Sequence, residues 1–317
     1  MDIKRRNFLK IAAGGGLLLA GGVPAMAREP KQLSPEAVGI LYDATACIGC
    51  RACQTACKQY NDMPVEHSSP DSVWDDPVDL SSKTLNIIKV YATGSGLNKD
   101  TEIDGYSFIK RHCMHCVDPA CVSACPVSAL KKNAGTGVVS YDKGACIGCR
   151  YCQLACPYNI PKFEYDKAFP QIRKCQLCEH RFKDNKFSAC CEFCPTGASI
   201  FGKVSDLLTE AKKRLTLKPG EYYNYPVAHI KSAQVSYRPV AKYLPRVYGE
   251  KEGGGSQVLM LAAIPFEKLG MPALDEQSDA AFSENIQHTV YKGMIGPGVL
   301  LAGLLFAAYK NTHKNDE

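Results

Sequence analysis

The 317 residues contain no nucleotide-binding glycine loop, no zinc-finger pattern and no helix-turn-helix pattern. Those absences exclude nucleotide-driven catalysis and sequence-specific nucleic-acid binding. No acid, base and nucleophile stand out as the furniture of a substrate pocket. Cysteine is missing before position 47 and after position 194, yet all 17 cysteines lie between those limits. Charge is nearly missing from residues 290–309, where Lys292 stands alone. With 45% hydrophobic residues, a chain of this size is expected to share the work of its core with whatever its cysteines bind.

Sixteen of the cysteines fall into four quartets that each close with Cys-x-x-x-Cys. Cys47, Cys50, Cys53 and Cys57, and again Cys146, Cys149, Cys152 and Cys156, have gaps of two, two and three residues, the spacing of paired iron-sulfur clusters. Cys113, Cys116, Cys121 and Cys125 widen the middle gap to four residues, and Cys175, Cys178, Cys190 and Cys194 widen it to eleven. Three closely spaced thiols wrap one cube corner by corner. The fourth, one helical turn on, points elsewhere and serves the other cluster of a pair. Gly49 and Gly148 lie inside two of the loops, where they let the backbone approach a cluster and aim N–H groups at sulfur. Pro126, Pro157 and Pro195 follow the last cysteine in three quartets, and Lys58 takes that place in the first.

Disulfides or all-cysteine zinc sites are the competing uses of such thiols. Four cysteines within eleven residues lie too close for sensible disulfides, and the repeated spacing argues against zinc. CIGCRACQTACK from Cys47 and CIGCRYCQLACP from Cys146 agree at nine of twelve positions, which marks an internal duplication. Cys191 would break the spacing to Cys194 if it replaced Cys190, so it is expected as a buried thiol beside the ligands. His112, His115 and His180 flank ligand cysteines and are expected to surround the clusters, every quartet being complete without them. The formal charge of +6 does not indicate a nucleic-acid partner: sixteen thiolates on four cubes of charge 2+ lower it by eight, and loss of residues 1–27 lowers it to about −5.

Lys4, Arg5, Arg6, Asn7, Phe8, Leu9 and Lys10 form a twin-arginine motif ahead of a mild apolar run from Ile11 to Gly22. Ala25 and Ala27 make a small-residue cleavage site, so the mature chain is expected to start at Arg28. Arg5 and Arg6 thus address the twin-arginine export machinery, which carries folded cargo, as clusters assembled in a reducing cytoplasm require. Residues 290–309 would span about 30 Å as a helix, enough for one membrane anchor, although Gly293, Gly296, Pro297, Gly298 and Gly303 weaken it. Lys310 and Lys314 follow, which puts the carboxyl end in the cytoplasm and the cluster domain on the periplasmic face of the inner membrane.

Short strands are expected on the approach to each quartet, at residues 38–42, 107–110, 138–141 and 171–174, with a hairpin turn at Asn133, Gly135 and Gly137. Residues 61–99, with Pro64, Pro70 and Pro77, read as a surface excursion. A strand at 198–203 precedes a helix capped by Ser205, with Leu207, Leu208, Ala211 and Leu215 on one face. Tyrosines from Tyr222 to Tyr248 then lie among prolines in an extended region that suits either a partner or the chain's own body. The expected division is a signal peptide at 1–27, a four-cluster domain at 28–215 with its inner module near 105–165, an extended partner-contacting region at 216–289, an anchor at 290–309 and a cytoplasmic tail at 310–317.

The four quartets resemble those of the four-cluster ferredoxin-like electron-transfer subunits of membrane-bound hydrogenases, formate dehydrogenases and dimethyl sulfoxide reductase-type complexes. The leader, the segments YGEKEGGGSQVLM at 248–260 and ENIQHTVYKGM at 284–294, and the single anchor are similar to the hydrogenase-2 iron-sulfur subunit family over nearly the full length. The resemblance implies an α+β fold of two pseudo-symmetric bacterial ferredoxin-like modules carrying four [4Fe-4S] clusters, with a carboxyl-terminal extension and a single transmembrane helix. It pairs the outer quartets with each other and the inner quartets likewise. One cluster would then take Cys47, Cys50, Cys53 and Cys194, and its mate Cys175, Cys178, Cys190 and Cys57. The inner pair would use Cys113, Cys116, Cys121 and Cys156, and Cys146, Cys149, Cys152 and Cys125.

By the same resemblance the chain has no catalytic site of its own. It would relay electrons between a nickel-iron hydrogenase, through its small subunit with the large subunit behind, and an integral membrane quinone-reactive subunit, coupling H2 oxidation to menaquinone reduction. A formate dehydrogenase beta subunit is the nearest rival, and the chain's own leader speaks against it. A cluster-bearing redox sensor would need a response domain, and none is visible.

Overall fold

The chain runs through β1 (Val38–Asp43), a 3-10 turn (Ala44–Ala46) and helix α1 (Ala52–Tyr60), then β2 (Ile87–Ala92), β3 (Asn98–Lys99) and β4 (Gly105–Arg111). Helix α2 (Ala120–Ser123), strands β5 (Leu130–Lys132) and β6 (Val139–Tyr141), helix α3 (Tyr151–Leu154) and strands β7 (Lys162–Phe163) and β8 (Ile172–Arg173) follow. Helix α4 (Ala189–Glu192) leads to β9 (Ser199–Lys203), α5 (Val204–Thr216), β10 (Tyr222–Pro226), β11 (Val235–Pro239), β12 (Val258–Leu261) and α6 (Asp279–Thr312). This computed structural model describes residues 28–67 and 76–312. Arg5, Arg6 and the expected signal peptide lie outside the described residues. The described chain divides into two units, residues 30–280 and a terminal unit of residues 28–29 and 281–312.

In the larger unit β1 is the central strand of a mixed sheet. It pairs antiparallel with β9, Ile40 facing Phe201, and parallel with β12, Ile40 facing Val258. Covered on both faces, it reads as an apolar run up to Asp43, with five of its six residues buried. Gly39 is required there, because a Cβ would stand 1.9 Å from Gln257 O. One face takes α5, whose Leu207 and Ala211 pack with Leu41, Ile200 and Leu259. Burying Leu207 completely contributes roughly 1.5–3 kcal/mol. The opposite face joins a larger core of Ile40, Ile87, Ile109, Met260 and Phe266 that extends to the cysteine loops.

The strands expected before the four quartets are β1, β4, β6 and β8, each within two residues of its expected start. In the hairpin between β5 and β6 the Asn133 side chain accepts the N–H groups of Gly135 and Thr136 at 2.9 and 3.1 Å. Three expectations need correction. Residues 61–99 are more than an excursion, since β2 pairs antiparallel with β4 and buries Ile87 and Ile88, the apolar pair that follows the proline-rich stretch. Ser205 does not cap α5: the cap is Lys203, with extended backbone and no side-chain bond, because β9 runs straight into the helix. Asp206 in the first turn still complements the helix dipole.

The third correction concerns residues 216–289, which are not simply extended. Their apolar run becomes β12, fully buried at Val258, Met260 and Leu261. Tyr248 is buried too, its hydroxyl donating to Pro272 O at 2.7 Å. Tyr222 and Tyr237 stay exposed, ring to ring at 5.0 Å.

Helix α6 starts at Asp279, eleven residues before the expected anchor, and holds Pro297 inside it. Among the described residues it is the one helix long and apolar enough to cross a membrane. Its Val299, Leu305 and Phe306 side chains are exposed. Within the terminal unit Arg28 pairs with Glu284, and its backbone N–H donates to Asn285 Oδ1 at 2.7 Å.

Candidate functional site

All 17 cysteines carry free thiols. In every quartet the second residue after the first cysteine is left-handed: Gly49 at φ 69°, His115 at 49°, Gly148 at 71° and Leu177 at 56°. That turn aims N–H groups at sulfur. Gly148 N–H reaches Cys146 Sγ and Leu177 N–H reaches Cys175 Sγ, both at 3.4 Å. Glycine holds the position twice because left-handed backbone disfavours a Cβ, whereas His115 and Leu177 are kept there by complete burial.

A Cβ on Gly49 would stand 2.5 Å from the Phe108 ring, and one on Gly148 would stand 3.6 Å from Phe163. Gly49→Ala is therefore expected to destabilise by about 1–3 kcal/mol and to lower bound iron. Gly148→Ala, which adds backbone strain without a clash, is expected to cost less. Thermal unfolding and iron analysis of the two variants side by side check the difference, and equal losses would remove the Phe108 contact from the account.

Short helices distribute the thiols. Helix α1 offers Cys53 and Cys57 one turn apart, and α4, packed against it, offers Cys190 with Cys194 just past its end. Cys47, Cys50, Cys53 and Cys194 line one cavity with about 300 Å³ of atom-free space. Cys57, Cys175, Cys178 and Cys190 line a second of about 340 Å³. Each helix thus supplies one thiol to each cavity. Helices α2 and α3 repeat the arrangement: Cys125, Cys146, Cys149 and Cys152 line a third cavity of about 300 Å³, while Cys113, Cys121 and Cys156 crowd around Cys116. Each of the sixteen quartet cysteines stands in one of these groups, named here by Cys47, Cys175, Cys146 and Cys113.

Cys191 is fully buried and hydrogen-bonded to Cys190. His112 and His115 are buried, the first in the wall of the Cys175 cavity, the second accepting the Val139 N–H at 3.0 Å. His180 is exposed and reaches Tyr60 O at 3.0 Å.

Burial pushes the Cys53 and Cys121 thiols up to about 12, and burial with repulsion from Cys125 and Cys146 takes Cys152 to about 11. Thiols held neutral in fours become thiolates only for a strongly cationic core. Among the described residues no three His, Cys, Asp or Glu side chains stand close enough to share one metal ion, whereas tetrahedral zinc draws four ligands to about 2.0–2.3 Å. The all-thiol donors, spread around open cavities, fit iron-sulfur clusters. Cys190 departs from its neighbours: the hydrogen bond from Cys191, with Lys110 beside it, holds its thiol well below the ordinary value.

Three lysines escaped the sequence reading, Lys110 and Lys174 buried and Lys132 half-buried. Lys132 Nζ donates to Cys116 O at 2.8 Å, Lys174 Nζ to Cys175 O at 3.1 Å, and Lys110 Nζ to Ser199 Oγ at 3.1 Å. The available signal was position, since Lys110 and Lys174 close the strand segments that feed Cys113 and Cys175.

A family profile described as a 4Fe-4S dicluster domain matches residues 105–204. The hydrogenase-2 operon protein HybA of Escherichia coli O157:H7 is 50% identical over 99% of this chain and 97% of its own. The chain belongs to the HybA family. HybA of Shigella flexneri matches to the same extent. The iron-sulfur subunit of the nitrate-inducible formate dehydrogenase of Escherichia coli K12 is 36% identical over 59% of this chain and 62% of its own. This HybA-family chain carries a ferredoxin-like 4Fe-4S domain in a mixed α+β fold.

Proposed function

We propose that the four thiol groups hold four [4Fe-4S] clusters in two pseudo-symmetric modules, and that the protein relays electrons between the small subunit of a nickel-iron hydrogenase and an integral membrane subunit that reacts with quinone. H2 oxidation at the large subunit is thereby coupled to menaquinone reduction. Once bound, the clusters supply one-electron carriers without an open coordination position. The domain sits at the periplasmic face of the bacterial inner membrane, delivered through the Arg5 and Arg6 signal in residues 1–27. Residues 290–309 of α6 anchor it, with residues 310–317 in the cytoplasm.

The observation that carries this reading is the order of the thiols. Cys53 is within electrostatic reach of Cys190, Cys175 of Cys113, and Cys121 of Cys152. The groups of Cys47, Cys175, Cys113 and Cys146 are therefore neighbours in that order. At the two ends of the order, Cys50 and Cys149 are exposed, beside Ile48 and Ile147 that are 58% and 65% exposed. A series that surfaces at both ends suits conduction between two partners better than sensing by a single labile centre.

A formate dehydrogenase partner is the second reading, favoured by the 36% identity to that iron-sulfur subunit. Assay of the detergent-extracted complex for H2-dependent against formate-dependent quinone reduction separates the two. Deleting this chain is expected to abolish the H2-dependent activity while hydrogenase still reduces dyes. Loss of formate-dependent activity instead would favour the second reading.

A further inference from the structure

Lys110 is completely buried in β4, where its cross-strand partner is Ile88. An ammonium in such a place persists only beside negative charge, and the groups that favour its charged form are thiols. Its Nζ donates to Ser199 Oγ at 3.1 Å, and Ser199 N–H in turn donates to Cys194 Sγ at 3.4 Å. The thiols of Cys190, Cys191 and Cys53 are within electrostatic reach of the same ammonium. One cation thus stands between the outer groups, linked through Ser199 to the Cys47 side and within electrostatic reach of Cys53 on that side and of Cys190 on the Cys175 side. Lys132 and Lys174 differ, since each donates to main-chain carbonyls.

Four thiolates around a 2+ core carry a net charge of about −2, and one-electron reduction takes it to about −3 with no bond made or broken. We propose that Lys110 is a positioning residue that raises the reduction potentials of both outer groups together, by stabilising the negative charge each gains on reduction. The inference rests on the four-cluster reading above. Its physical cause is Coulomb attraction across a dry site, which falls with distance and so favours the two groups within its reach over the inner two.

Redox titration of the purified complex, followed by electron paramagnetic resonance with iron content measured on each sample, tests it in Lys110→Met, Lys110→Gln and Lys110→Arg. Lys110→Met and Lys110→Gln are expected to lower the midpoints of two of the four signals. The shift should be at least tenfold in the oxidised-to-reduced ratio, which is 59 mV for one electron. Lys110→Arg should stay near the wild type, and the other two signals should not move. Unchanged midpoints in loaded Lys110→Met or Lys110→Gln would overturn the proposal, as would an equal shift in Lys110→Arg. Loss of iron in all three variants would do the same, because it would make Lys110 a scaffold contact. Wild-type protein without iron-sulfur signals would instead sink the functional reading beneath it.

Discussion

Cys156→Ser removes or alters the cluster signal of the Cys113 group, leaves that of the Cys146 group in place, and costs about a quarter of the bound iron. The reason lies in α3. Cys152 lies in α3 and Cys156 two residues past its end, so the chain carries the second away from the first. Cys152 lines the cavity of Cys125, Cys146 and Cys149, while Cys156 is pushed up by burial and by Cys113 beside it. A neutral serine hydroxyl replaces a thiolate poorly as an iron ligand, so the group that loses its fourth thiol is the one that changes. Electron paramagnetic resonance of the reduced variant, with an iron assay, distinguishes the groups. Loss confined to the Cys146 group would contradict crossed supply by α2 and α3.

Arg214→Ala is expected to cost about 3–5 kcal/mol, because it strands buried carboxylates. Arg214 is fully buried, donating from Nη1 to Asp43 Oδ2 at 2.9 Å and from Nε to Glu210 Oε1 at 2.8 Å. Tyr243 donates to Asp43 Oδ2 at 2.7 Å and Tyr223 to Glu210 Oε2 at 3.0 Å, which orients both acids for the arginine. The guanidinium also lies 4.8 Å from the centre of the Tyr225 ring. Without it two negative groups remain in a dry interior.

The damage should reach the thiols as well. Asp43 ends β1 and accepts the Thr45 N–H at 3.0 Å, fixing the turn that delivers Cys47. Urea unfolding gives the stability loss, and iron analysis shows whether the Cys47 group empties first. A loss under about 1 kcal/mol would mean that water reaches the pair.

The quartets were legible because they are written in short spacings, and a strand before each quartet could be read from local alternation. The placing of third and fourth cysteines in different cavities was also accessible, since the fourth follows four residues on. The partners of β1 were hidden. β12 joins it in parallel from more than 200 residues away, and an apolar run such as 258–264 states that it wants burial without stating against what.

Charged residues misled for a related reason. Lysine and arginine are normally exposed, so Lys110 and Arg214 betray their burial only through thiols and carboxylates contributed by distant segments. β2 was read as excursion because the prolines before it dominate the local pattern, while its hydrogen-bonding mate, β4, lies beyond a loop. Ser205 was read as a cap from residue type alone, and strand β9 left no room for one.

The most direct test is chemical analysis of anaerobically purified protein for iron, acid-labile sulfide and zinc, with its spectrum under reduction. Four filled thiol groups predict brown material with about sixteen irons and as many sulfides per chain. Colourless protein holding zinc and no sulfide would contradict the account.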